Sequence, residues 1–324
     1  MGRVGFTTTI PVEVLLAAGK EPVDLNNLFI GSDHPQAMVE QAEEAGYPRT
    51  TCGWIKGLYT AALTADLEAV IAVMQGDCSN TQALMETLEL QGIKVIPFAF
   101  PYDRDPQAMR LNLYKLMDYF GVSENRVQKE KQRLDQVRRL CWTWDEMTWK
   151  DNQVSGYENH NKLVSTSDFE GNPDRFAAEM ERLISQARER QPFTEQVRLA
   201  YIGVPPIFTD LYQVLESLGA RVVFNEVQRQ FSMPYATDDI VEQYIRYTYP
   251  YGAFARLEDM KEEIEKRRVQ GVIHYTQSFC YRQIEDLIYR QRLGLPFLTL
   301  EGDKPGRVDA RTRLRLEAFI NMLK

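Results

Sequence analysis

Four cysteines (Cys52, Cys78, Cys141 and Cys280) and three histidines (His34, His160 and His274) are the residues of this 324-residue chain best suited to nucleophilic or metal chemistry. The cysteines are dispersed, with no Cys-x-x-Cys pair. Cys52 stands just ahead of Trp54-Ile55-Lys56-Gly57, where a helix is predicted to begin. Cys78 is followed by Ser79 and Gln82 in capping-box spacing, and Cys280 precedes a helical stretch from Tyr281. A thiol at a helix entrance lies in the positive end of the helix dipole, which predicts a lowered pKa and suits a nucleophile or a metal-bound sulfur. Cys141 differs. It falls with Leu134, Val137 and Trp144 at spacings of three, four and three, the apolar stripe of a long helix from Glu124 to Trp149, and reads as core.

Three chemistries use such thiols. A nucleophilic cysteine needs a histidine base, and His274, six residues before Cys280, is the nearest candidate. Structural zinc usually takes four ligands in close pairs. A cubane iron-sulfur cluster held by three cysteines leaves one iron open and tolerates wide spacing, because the fold gathers the ligands.

The elements that must position these residues repeat. At an offset of 202 residues, Val70 meets Val272, Ile71 meets Ile273, Gln75 meets Gln277, Cys78 meets Cys280 and Gly92 meets Gly294 without a gap. Each copy reads as strand, turn with a cysteine, helix, glycine and a further strand. Short Val- and Ile-rich runs alternate with helical segments on both sides of the long helix, the pattern of parallel sheets covered by helices. The expected fold is α/β: two doubly wound, flavodoxin- or Rossmann-like parallel-sheet domains with a helical connection and a metal cluster in the cleft between them. The expected boundaries are 1–150, a linker and connecting helix over 151–195, and 196–324. Asp151 to Asn172 is polar and aperiodic and reads as a surface loop, after which Pro173 opens a helix bearing Phe176, Met180, Leu183 and Ile184. In doubly wound sheets ligands collect beyond the carboxyl ends of the strands, where Cys78 and Cys280 would lie.

Composition narrows the partners. Lys and Arg number 38 against 46 Asp and Glu, a net charge of −8, which disfavours nucleic acid. No run is long and apolar enough to cross a bilayer, the first residues carry no signal-peptide stretch, and a cytoplasmic location is expected. Neither a phosphate-binding Gly-x-x-x-x-Gly-Lys loop nor Gly-x-Gly-x-x-Gly occurs, so nucleotide hydrolysis is expected on a partner.

The stretches Cys52-Gly53-Trp54-Ile55-Lys56-Gly57, Gly76-Asp77-Cys78-Ser79-Asn80-Thr81, Phe100 to Asp105, Ser278 to Asp286 and Pro296 to Asp303 resemble the 2-hydroxyacyl-CoA dehydratase and benzoyl-CoA reductase family, D-component type, including its double-cubane-cluster reductases. The resemblance spans nearly the whole chain. It implies that Cys52, Cys78 and Cys280 ligate a [4Fe-4S] cluster or a double-cubane [8Fe-9S] cluster, and gives Cys141 no such role. It implies an oxygen-sensitive enzyme that takes a low-potential electron from an ATP-hydrolysing iron-sulfur activator, then dehydrates a thioester by a radical route or reduces a small molecule. A non-catalytic iron-sulfur carrier or maturation protein is the alternative. A homodimer is expected, or a heterodimer with a sister subunit. Lys56, Arg104, Arg282 and Arg307 read as single charges on ion pairs or solvated faces rather than a cradle for CoA phosphates. Asp77, Glu301 and Asp303 read as helix caps or as groups near the substrate.

Overall fold

The computed structural model describes residues 2–194 and 197–324. Eight strands appear in chain order: β1 (Arg3–Phe6), β2 (Glu21–Asp24), β3 (Ala69–Gln75), β4 (Val95–Ala99), β5 (Val197–Gly203), β6 (Ala220–Asn225), β7 (Gly271–Gln277) and β8 (Phe297–Gly302). They form two four-stranded parallel sheets, β2-β1-β3-β4 and β6-β5-β7-β8, with helices in the crossovers. The order is the same in both, which bears out the α/β expectation. The repeat extends to register: Val70 pairs with Val95, and Val272 pairs with Phe297 at the same offset. Gly92 and Gly294 each end the intervening helix at positive φ, 81° and 65°, a conformation in which a Cβ is costly.

The strands are apolar because helices cover their faces: β5, β6 and β7 are buried along almost their whole length. The long helix Glu124–Trp149 forms over the predicted residues, with Leu134, Val137, Cys141 and Trp144 buried. The Pro173–Arg188 helix packs beside it through Phe176, Met180 and Ile184. One apolar core joins β1, β3 and β4 to these helices and also takes in Val227, Phe231, Met233, Tyr244, Tyr247 and Tyr251 from the crossover between β6 and β7. At its centre Glu13 accepts hydrogen bonds from Arg138 (2.8 Å), Gln243 (2.8 Å) and Tyr244 (2.7 Å).

Two expectations are corrected. The stretch from Asp151 to Asn172 is not a surface loop, because it contains a Gly156–Val164 helix and two short 3-10 turns. A capping box between Ser155 and Glu158 starts that helix, and its buried face carries Asn159 where an apolar residue would have shown a period. The expected capping box at Ser79 and Gln82 does not form either. The helix begins at Thr81, and the Thr81 hydroxyl donates to Asp77 at 3.3 Å.

Candidate functional site

Because the strands within each sheet run parallel, each sheet presents all its carboxyl ends on one edge. A cavity of about 410 Å³ lies where those edges meet, within the ~300–1,000 Å³ range of small-molecule sites. Thr7 and Thr8 follow β1, Asp24 ends β2, Asp77 and Cys78 follow β3, Val204 to Pro206 follow β5, and Cys280 to Arg282 follow β7; all line it. Cys52 reaches the same cavity from the start of the Gly53–Thr64 helix that leads into β3. Three thiols from three crossovers therefore meet one space. Cys141 lies outside it, buried, its Sγ donating to the Val137 carbonyl at 3.5 Å.

Close packing fixes the thiol-bearing turns. A Cβ added at Gly53 would lie 2.8 Å from the Asp303 carbonyl oxygen, so the residue after Cys52 fits against the end of β8 only as glycine. Tyr281, the residue after Cys280, donates from its hydroxyl to the Asp77 carbonyl at 3.0 Å and so ties the two repeat-related turns together. Gly76 takes φ +98° beneath Pro250 and Phe100, while at the matching turn Phe279 takes φ +66° with a side chain, which costs roughly 1–2 kcal/mol.

The electrostatics of the thiols reverse the sequence expectation. Burial pushes Cys52 and Cys78 up to about 12 and raises Cys280, outweighing the helix-start N–H groups that act in the other direction. Those donors are nonetheless in place: Trp54 and Ile55 at Cys52, Asn80 N–H to the Cys78 sulfur at 3.4 Å, and Arg282 at Cys280. A bound cation would add positive charge at the sulfurs, and metal-ligating thiols are deprotonated outright. Among the described residues no three His, Cys, Asp or Glu side chains converge as a one-ion centre requires. A cubane takes its cysteines on separate iron atoms, and three thiols lining one cavity are a donor set that such a cluster could use.

The remaining residues singled out in the sequence divide. Asp77 lines the cavity, and burial raises its carboxyl to about 7 against the pull of Arg282. Glu301 accepts from the Ser278 hydroxyl (2.7 Å), and the Asp303 carbonyl accepts from Gln277 (2.7 Å), so both brace the Cys280 turn. Lys56 is buried on Glu43 (2.7 Å), Arg104 donates to the Ile245 carbonyl, and Arg307 pairs with Asp210. Arg282 is the one Lys or Arg among the lining residues, and it is paired with Glu285 at 3.1 Å. His274 pairs with Asp286 at 2.8 Å and is not among the cavity's lining residues, so the cysteine-histidine dyad is not assembled.

The sequence reading passed over Thr7, Thr8, Asp24, Asn26, Asn27, Tyr157 and Tyr212 and gave His160, one of the three histidines it named, no role; all line the cavity. The first five follow or end strands β1 and β2, a place the carboxyl-end rule marks. The two aromatics and His160 had no such signal. Burial and the neighbouring Asp24 charge raise Asp168 to about 7, and this carboxyl holds the Asp24 backbone N–H at 2.9 Å.

Among comparisons with known proteins, the family model described as 2-hydroxyglutaryl-CoA dehydratase, D-component, matches residues 7–323. No curated protein matches the chain. No helix among the described residues is long and apolar enough to cross a membrane.

Proposed function

The chain belongs to the 2-hydroxyglutaryl-CoA dehydratase D-component family, and from that premise we propose that Cys52, Cys78 and Cys280 hold an iron-sulfur cluster at which a 2-hydroxyacyl thioester is dehydrated. The observation that carries this reading is the meeting of three thiols from three crossovers on one cavity, each sulfur beside a backbone N–H donor. When bound, a cubane or double cubane supplies a low-potential electron and an iron open to a substrate oxygen.

The protein's own residues do the rest. Trp54, Ile55, Leu58, Val204, Pro205, Pro206 and Phe208 give the cavity apolar walls that keep water from the reacting centre. The N–H groups at the three sulfurs stabilise their charged form and, as outer contacts, tune the potential of what they bind. Tyr281 and Gly53 hold the two sheets' edges at fixed separation, and the Gln277 amide braces the ends of β7 and β8 against which Gly53 packs. Asp77 faces the cavity beside Cys78 and accepts from the Thr81 hydroxyl at 3.3 Å, which holds the turn that carries this thiol.

An ATP-hydrolysing iron-sulfur activator as electron source and a homodimeric assembly complete the proposal. One observation favours a second reading, low-potential reduction of a small molecule: Arg282 is already neutralised by Glu285, so the lining offers no free cation for CoA phosphates.

Iron and acid-labile sulfide analysis of anaerobically purified, reconstituted protein tests the cluster. Close to four irons per cubane are expected, and less than about one per chain refutes it. The EPR signal of the reduced protein then separates the readings. A change with 2-hydroxyglutaryl-CoA supports the lyase, a change only with small unsaturated or nitrogenous compounds supports the reductase, and indifference to both supports a carrier.

A further inference from the structure

A chain of hydrogen bonds runs through the interior to the cavity, and its direction is determined from its far end. The Asp145 carboxylate, paired with Arg267, can only accept, and the Thr148 hydroxyl has committed its proton to the Trp144 carbonyl. Both therefore face the amide nitrogen of Asn159, each at 3.0 Å. The Asn159 oxygen then accepts from the Asn225 nitrogen at 2.7 Å, an orientation fixed a second time because that nitrogen also meets the Gly156 carbonyl. The Asn225 oxygen in turn accepts the only proton of the Tyr212 hydroxyl at 2.7 Å.

With that proton committed, the Tyr212 oxygen can only accept from Gln228, whose Nε2 lies 3.4 Å away. The same Nε2 is 2.9 Å from His160 Nδ1 and donates to it, while the Gln228 oxygen is buried with no partner among the described residues. Nδ1 is thus an acceptor, and the imidazole proton resides on Nε2. The ring stacks on Tyr212 with centroids 4.9 Å apart and lines the cavity, and Nε2 has no hydrogen-bond partner among the described residues. Burial lowers the pKa to about 4, so the ring is neutral near pH 7.

A histidine held this way cannot serve as a general base, since one nitrogen is blocked by a donor and the other already carries its proton. We infer that His160 is a substrate-binding donor, giving the Nε2–H hydrogen bond to a carbonyl or hydroxyl oxygen on the acyl portion of the substrate, with Gln228, Tyr212, Asn225, Asn159 and Asp145 as positioning residues. This rests on the proposed reading of the cavity as an acyl-thioester site. Its chemistry asks for an oxygen acceptor at that wall.

The test is nitrogen-15 NMR of histidine-labelled, cluster-loaded protein kept anaerobic and oxidised, with His160→Gln identifying the His160 signals among three histidines. The expected resting state is the Nε2–H tautomer, with the Nε2–H signal moving on addition of 2-hydroxyglutaryl-CoA but not of coenzyme A alone. In Gln228→Glu a carboxylate accepts at Nδ1, the proton moves to that nitrogen, and thioester affinity falls about tenfold, the size of one neutral hydrogen bond. His160→Phe should show the same tenfold loss, while His160→Gln, which keeps an N–H donor, stays within about threefold. An Nδ1–H tautomer in the unsubstituted protein overturns the inference. Calorimetric binding of the thioester with an unmoved His160 signal overturns it while leaving the proposed function standing, and absence of thioester binding overturns both.

Discussion

Replacing Gly53 by alanine tests whether the two halves are locked together at the thiols. The new Cβ would lie 2.8 Å from the Asp303 carbonyl oxygen and 3.3 Å from Ile207 Cδ1. Contacts of this kind relax near ~3.5 Å, so something must move by roughly half an ångström. The carbonyl is not free to yield, because it accepts from Gln277 Nε2 at 2.7 Å, and Gln277 is itself held by the Tyr275 hydroxyl at 3.0 Å. Overpacking of this sort costs about 1–3 kcal/mol. Removing a glycine from a helix returns at most ~1 kcal/mol, and less at the first helical residue, where Gly53 sits. The net expectation is a loss of about 1–2 kcal/mol and a melting temperature lower by roughly 2–5 °C. Because the movement separates Cys52 from the Cys280 turn, iron content after anaerobic reconstitution should fall as well. Gly252→Ala is the control: Gly252 is the N-cap of the Ala253–Lys266 helix, one place ahead of the position Gly53 takes in its own helix, and a Cβ there meets nothing within 4 Å. Scanning fluorimetry and iron analysis read the pair. Full iron content and an unchanged melting temperature in Gly53→Ala, or an equal loss in both variants, would refute the reasoning.

Three further outcomes are expected. Single Cys→Ala changes at 52, 78 or 280 should abolish most iron binding, whereas Cys141→Ala should keep it and lose about 1 kcal/mol in urea unfolding from the small cavity left in the core. Burial would raise the Glu13 pKa, but the Arg138 charge and the hydrogen bonds from Tyr244 and Arg138 hold it below its ordinary value of 4.5. A depressed carboxylate stabilises the fold above its unfolded-state pKa and loses that contribution as pH falls through the folded value, so Glu13→Gln should flatten the stability decline measured below about pH 4.5. Arg256 donates to both Glu226 oxygens and to the Gly203 carbonyl and pairs with Glu285, which holds Arg282; Arg256→Met should cost about 3–5 kcal/mol by stranding the buried Glu226, read as a lower urea midpoint.

Much of this is legible in the sequence. The repeat located both cysteine-bearing turns because the same spacing between strand, thiol and terminal glycine places each turn at the same point of the crossover, although the turns themselves differ in detail. The helical stripe set Cys141 apart for the same kind of reason. Strand β2 escaped notice because Pro22 and two acidic residues occupy an edge strand, where a missing ladder donor is tolerated. The Gly156–Val164 helix escaped because its buried face is polar, and a hydrophobic period cannot report Asn159. The thiol pKa values went the opposite way because a local dipole is visible in a sequence while the depth of burial, the larger effect here, is set by the whole fold. His160 was named in the sequence as one of three histidines, but its orientation is set by partners scattered over the chain from Asp145 to Gln228.

The core beneath the first sheet is closed by residues up to Tyr251. On the ribosome, then, β1 to β4 and the long helix emerge with their apolar face uncovered, and Glu13 and Arg138 wait for Gln243 and Tyr244 until some hundred residues more have been made. Synthesis at about 5–20 residues per second makes that interval several seconds of exposed surface. The first half should consequently engage holding chaperones while nascent, and a chain stopped before Tyr251 should aggregate rather than fold.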